Sequence, residues 1–196
     1  MSRIHLAVLT VLLLAGCAAR RARYVDPDAR SRVEGTGIEA RDLRTVADQM
    51  TAEILASPSI ASWSGDGPPR VAVFPVQNRS RFLIDQDILT SLISDQLIQG
   101  AQGRIALVNR DQLDNIMAER EAKRDGTVDA NSRLTTLAGV EYFLEGEIRS
   151  LSASDPRAQT DYVVVRFQLT DAETGVIGWS NSYEMKKEGS WGVMYQ

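Results

Sequence analysis

The segment Arg70-Val71-Ala72-Val73-Phe74-Pro75-Val76 decides how the rest of the chain folds. It is a short, unbroken apolar run, preceded by Gly67-Pro68-Pro69 and followed by the polar Gln77-Asn78-Arg79-Ser80-Arg81. Such a run without alternation suits a strand buried on both faces, as in a parallel sheet. Pro75 has no amide hydrogen for a neighbour, so the strand is expected to end there, with a polar loop from 77 to 81. Downstream, Ile88, Leu89, Leu92, Ile93 and Leu97 recur at helical spacing over about 85–99. Asp85 or Asp87 can cap the free amides of its first turn, and Gly100 and Gly103 bracket its end. Ile105 to Val108 form a second short strand, which completes a strand, helix, strand unit.

Asp111 can cap a helix carrying Leu113, Ile116 and Met117 toward Arg124, and a shorter helix is expected over Leu134, Leu137 and Ala138, stopped at Gly139. Together they fit a second crossover, and such crossovers are right-handed in nearly all folds. The period then changes from helical to alternating. Glu141 to Leu151, Asp161 to Thr170 and Val176 to Met185 read as strands of an antiparallel meander. Their turns are Ser152 to Gln159, with Pro156, and Asp171-Ala172-Glu173-Thr174-Gly175, where Gly175 can take positive φ. Trp179 and Tyr183 share a face with Ile177, which places Trp179 in the core. Upstream of the first strand, Leu43, Val46, Ala47, Met50 and Ile54 define an amphipathic helix over about 39–56, stopped by Ser57-Pro58. Residues 57–69 are expected to be a loop, with Trp63 either an exposed contact or a lid on the core. The sum is an α/β domain with a mixed sheet of about five strands, the last three forming the meander.

The chain opens with Arg3, an apolar run from Leu6 to Ala15, and Leu14-Ala15-Gly16-Cys17. This is a secretory signal, and the run is too short to span a bilayer, which takes about 20 residues. The quartet resembles the bacterial lipobox, which implies cleavage before Cys17 and acylation of that residue. On the other reading, Cys17 belongs to an ordinary leader cut a few positions later. Ala18 and Ala19 follow, with no aspartate to retain the protein at an inner membrane. The expected location is the periplasmic face of an outer membrane, with the inner membrane and the cell surface open as alternatives. Residues 1–16 would be the signal peptide, 17–38 the lipidated N-terminus and flexible linker, 39–188 the folded domain and 189–196 a loose tail. Arg20, Arg21 and Arg23 lie where they could meet anionic headgroups, or they are simply solvated.

Composition limits the chemistry. Removing the leader takes one arginine from 22 basic side chains and leaves 21 against 26 acidic ones, net −5, which argues against nucleic acid as a partner. Cys17 is the sole cysteine, so no disulfide is available. His5 is the sole histidine and leaves with the leader, which removes the commonest general base and metal ligand. There is no phosphate-binding loop, no Gly-x-Ser-x-Gly turn and no metal-ligand cluster. No catalytic residue, cofactor or metal site is expected.

The order of motifs resembles the LpoB family, the lipoprotein activators of class A penicillin-binding proteins. The resemblance runs from Cys17 through Asp42-Leu43, Val71-Ala72-Val73 with Asn78-Arg79, and Leu107-Val108. It continues through Leu137-Ala138-Gly139-Val140-Glu141-Tyr142-Phe143-Leu144 to Glu173-Thr174-Gly175-Val176-Ile177-Gly178-Trp179-Ser180. It implies a three-layer α/β/α domain that binds the docking domain of a peptidoglycan synthase and raises its activity. Enteric members carry a long proline-rich tether, whereas the linker here is short.

Asn78, Arg79 and Arg81 follow a buried strand, where α/β sheets place ligands and partners, and are the candidate partner-binding residues. Asn78 is equally suited to forming a turn with its own backbone. The acid pairs Asp85 with Asp87 and Asp171 with Glu173 would serve a carboxylate-dependent envelope hydrolase, although capping and turn formation explain them more simply. A structural or secretion-complex lipoprotein of the curli-assembly type is the remaining alternative. Self-association is left open.

Overall fold

The computed structural model of the chain describes residues 23–29, 35–129 and 136–190. Helix α1, Ala40–Ala56, is opened by a reciprocal capping box between Glu39 and Asp42 and buries Leu43, Val46, Ala47, Met50, Ile54 and Leu55. Ser57 ends it, and Pro58 then starts α2, Pro58–Ala61, one turn inside a segment expected to be loop throughout. Strand β1, Arg70–Val73, leads to β2, Gln77–Arg79, and to α3, Gln86–Ala101, which Asp85 caps by accepting from the Asp87 amide. The capping expectation at Asp85 is met. β3, Ala106–Leu107, is followed by α4, Leu113–Arg124, which buries no residue fully. Its first turn is preceded by Gln112, whose amide donates to Asn109 Oδ1 at 3.1 Å, so Asp111 is not its cap. The meander is β4, Tyr142–Ser154, β5, Ala158–Asp171, and β6, Ile177–Ser190.

The mixed sheet has six strands in the order β3-β1-β4-β5-β6, with β2 also paired to β4. β1, β2 and β3 run parallel to their neighbours, and β4, β5 and β6 are antiparallel. The apolar core lies on the α1 and α3 side. There Val46, Met50, Ile54, Leu89, Ile93 and Leu97 meet Val71, Leu144, Ile148, Val163, Val165, Phe167 and Leu169.

The sixth strand corrects the expected polar loop at 77–81. Val73 pairs with Leu144 and Gln77 with Glu147, so four steps along one chain match three along the other. The extra residue sits at Pro75, where no amide was available for the ladder, and pairing resumes beyond it. The slip also changes which residues face inward: Val71 before it, and Val76 after it, join the core. Polarity alone hid β2, because the outer amides of Val76, just before it, and of Asn78 within it are answered from α3, by Thr90 Oγ1 at 2.9 Å and Gln86 Oε1 at 3.0 Å.

Three further expectations change. Of the short helix over Leu134, Leu137 and Ala138, residues 130–135 lie outside the described residues, and 136–140 are not helical. Trp179 is half-buried at the sheet edge and Ile177 is exposed at 51%, because the β5–β6 register shifts between Leu169 and Thr170 and Ile177 loses its place in the alternation. β6 continues through Gly189 and Ser190, where Lys187 donates to the Gly37 carbonyl at 2.9 Å and pairs with Asp42. Trp63 lies over the start of β4: it stands edge-on to Tyr142 at 6.0 Å and donates to the Gly67 carbonyl at 3.0 Å.

Candidate functional site

The three polar residues after β1 prove to have unlike roles. Asn78 faces inward opposite Ile148 and builds the loop: its Oδ1 accepts from Ser80 N–H at 3.0 Å and Oγ at 2.7 Å, while its Nδ2 donates to the Phe82 carbonyl at 2.9 Å. This is the turn-forming role open to asparagine from its sequence position. Arg81 is tied to the sheet. Its amide donates to Ser150 Oγ at 3.0 Å, its guanidinium reaches Asp161 Oδ2 at 2.9 Å, and it stacks 5.0 Å from the Phe82 ring. Arg79 is exposed and bonds only its strand neighbour Gln77, at 2.7 and 3.2 Å. Of the three, Arg79 has the side chain that no fold contact needs.

Asp161 was not singled out by its sequence context, where it is one polar residue at the start of an alternating run. It is 1% exposed on the core face of β5. Ser152 Oγ, Gln159 Nε2 at 2.7 Å, Arg81 and Thr36 all bond it. Burial alone would push its pKa up; the four hydrogen bonds together outweigh that and hold the carboxyl below its ordinary value. A second strong pair closes the other end of the sheet, where Glu141 accepts from the Arg70 amide at 2.6 Å and from its guanidinium. That contact with Arg70 lowers the Glu141 pKa against its desolvation.

Beside the Asn78 loop, the chain before α1, residues 83–85 and the start of α3 enclose a groove of about 400 Å³. Ile38, Leu43, Ile84 and Leu92 form its floor, with Arg44 and Asp85 at the rim. Leu83 is 105% exposed and Ile88 51%, so the groove has an apolar lip that the described residues leave uncovered.

The acid pairs proposed for glycan cleavage serve the backbone. Asp85 caps α3, and Asp171 accepts from the amides of Glu173 and Thr174 and from the Thr174 hydroxyl. Those bonds, led by that from the Thr174 amide, lower the Asp171 pKa, the opposite of what a proton donor to a glycosidic oxygen needs. Gly175 closes that turn at φ +71°, as its sequence position suggested. Among the described residues no group of three or more histidine, cysteine and acidic side chains could hold a metal ion, and no helix is long and apolar enough to cross a membrane. Cys17 lies outside the described residues.

Comparison with known proteins gives the chain its relatives. The family described as peptidoglycan-synthase activator LpoB matches residues 42–185. A comparison with curated protein sequences finds no match. Among solved structures, the LpoB C-terminal domain from Salmonella enterica is 18% identical with a TM-score of 0.46, covering 74% of this chain and 98% of that one. The LpoB C-terminal domain from Escherichia coli is 19% identical with a TM-score of 0.44 at the same coverage. Lipoprotein GNA1162 from Neisseria meningitidis is 18% identical with a TM-score of 0.36, covering 62% of this chain and 84% of that one. Since the family match spans α1 through most of β6, the chain belongs to the LpoB family of peptidoglycan-synthase activators.

Proposed function

We propose that this protein is a non-catalytic lipoprotein, acylated at Cys17 and held on the periplasmic face of the outer membrane, that binds a class A penicillin-binding protein and raises its peptidoglycan-synthesising activity. The family match over 42–185 carries this reading, and the engagement of the candidate acids in caps and turns supports it. An activator shifts its target only by binding the active state better than the resting one, so its working part is a surface and not a cleft. The surface we assign to the synthase is the loop that carries the exposed cation Arg79 and the apolar Leu83, together with the groove that Leu83 helps to line. Asn78 and Arg81 hold the loop that presents them.

Affinity purification of the tethered protein from its own envelope tests the reading. A class A penicillin-binding protein should be recovered with it, and recovery of none would overturn the proposal. Arg79→Glu should abolish that recovery with an unchanged melting curve. Palmitate labelling should disappear in Cys17→Ala; labelling that persists would remove the anchor.

A further inference from the structure

The sheet ends in a 14-residue strand, β6, whose outer edge pairs with no other strand among the described residues. Ser182 shows which groups face outward: its N–H donates to Asn181 Oδ1 at 2.7 Å, within β6 itself. Alternate residues share that direction, so Ser180, Glu184, Lys186 and Glu188 also turn their backbone groups away from β5. Long edges of this kind are templates for further pairing, and lysines on them usually serve to prevent it.

Here the charges select one partner. If a second copy of β6 pairs antiparallel about Met185, Glu184 of each chain stands opposite Lys186 of the other. Both lie at positions whose backbone groups point outward, as a hydrogen-bonded pair requires. Centring the pair on residue 184 sets Glu184 against Glu184, and centring it on 186 sets Lys186 against Lys186. Centring on 187 restores an opposite-charge pair, Lys186 with Glu188, but over a shorter overlap. The same edge carries Trp179, Tyr183 and Met185, all only partly buried, whose exposed flanks a second copy would cover. In the single chain Lys186 meets Glu188 at 2.7 Å, a surface pair that is 59% and 65% exposed and contributes little by itself.

We propose that the protein forms a two-fold dimer through β6, joining two sheets edge to edge with reciprocal Glu184 to Lys186 pairs across the axis. The test uses the full chain from residue 17 onward with Cys17→Ser, followed by sedimentation velocity at high micromolar concentration. The wild-type surface should give a dimer. Glu184→Lys alone and Lys186→Glu alone each place like charges opposite one another twice, and should weaken dimerisation by at least about tenfold. An equimolar mixture of the two variants should restore it, because each mutant residue then faces its opposite. A monomeric wild type, single variants that dimerise as well as wild type, or a mixture that stays monomeric would each overturn the proposal. Both side chains are exposed, so unchanged melting curves separate lost pairing from lost folding.

Discussion

Two stretches of the long β4–β5 ribbon are held by different forces, and its Tyr142 end is closed separately by the Glu141–Arg70 pair. Near Leu144 and Phe167 the sheet is fastened to α1 and α3 mainly by apolar contact, with Asn181 donating to Glu53 at the margin, and Gly146 makes room for the aromatic ring: a Cβ there would come within 2.5 Å of Phe167. Near Ser152 and Asp161 the start of α1 is met by charge instead, through Lys187 on Asp42. The same core-facing row ends in a carboxylate gripped by Arg81, Gln159, Ser152 and Thr36. Apolar burial tolerates approximate shapes and is indifferent to pH, whereas the charged end is specific and titrates. The charged end also draws together the chain before α1, the loop that displays Arg79, and the ribbon.

Substitutions should separate the two ends. Phe167→Ala removes the largest fully buried side chain of the sheet and should cost about 3–5 kcal/mol in urea unfolding. Gly146→Val should come next, since the ring it would strike is walled in by the core, at roughly 1–3 kcal/mol for overpacking. Asp161→Asn should cost about 1–3 kcal/mol at pH 7, and its effect alone should depend on acidity. The folded pKa of Asp161 lies below the unfolded value of about 3.9, so its contribution is complete above that pH and is lost as pH falls through the folded pKa. The unfolding midpoints of wild type and Asp161→Asn should therefore converge in strong acid, while the deficit of Phe167→Ala persists. Arg79→Ala should change stability by no more than about 0.5 kcal/mol, as expected of an exposed side chain bonded only to Gln77.

The apolar end was legible in the sequence because periodicity reports burial directly. Leu89, Ile93 and Leu97, and Val163, Val165, Phe167 and Leu169, are among the residues that spacing selected and are buried, whereas Ile88 of the same helical set is exposed and Leu92 only partly covered. The charged end was not, because a lone aspartate opening an alternating run looks the same whether it meets water or an arginine 80 positions away. Strand β2 was missed for a related reason: its polarity resembles a loop, and only the side chains of Thr90 and Gln86 show how the outer amides of Val76 and Asn78 are satisfied. Of the candidate site, Asn78, Arg79 and Arg81 were singled out together by their place after a buried strand. Their division into turn former, exposed cation and ion-pair partner needed the positions of Gln77, Ser150 and Asp161. Leu83 offered no signal of its own, since an isolated leucine before a helix is as often covered as bare.

An activator changes what a synthase does, and does not merely lie beside it. The direct measurement is the rate of glycan-chain synthesis by the purified class A penicillin-binding protein of the same envelope, with and without the mature protein and its Arg79→Glu variant. A rise in rate with the wild type that Arg79→Glu fails to produce is the predicted result. An unchanged rate at saturating concentrations of a folded wild-type protein would contradict it.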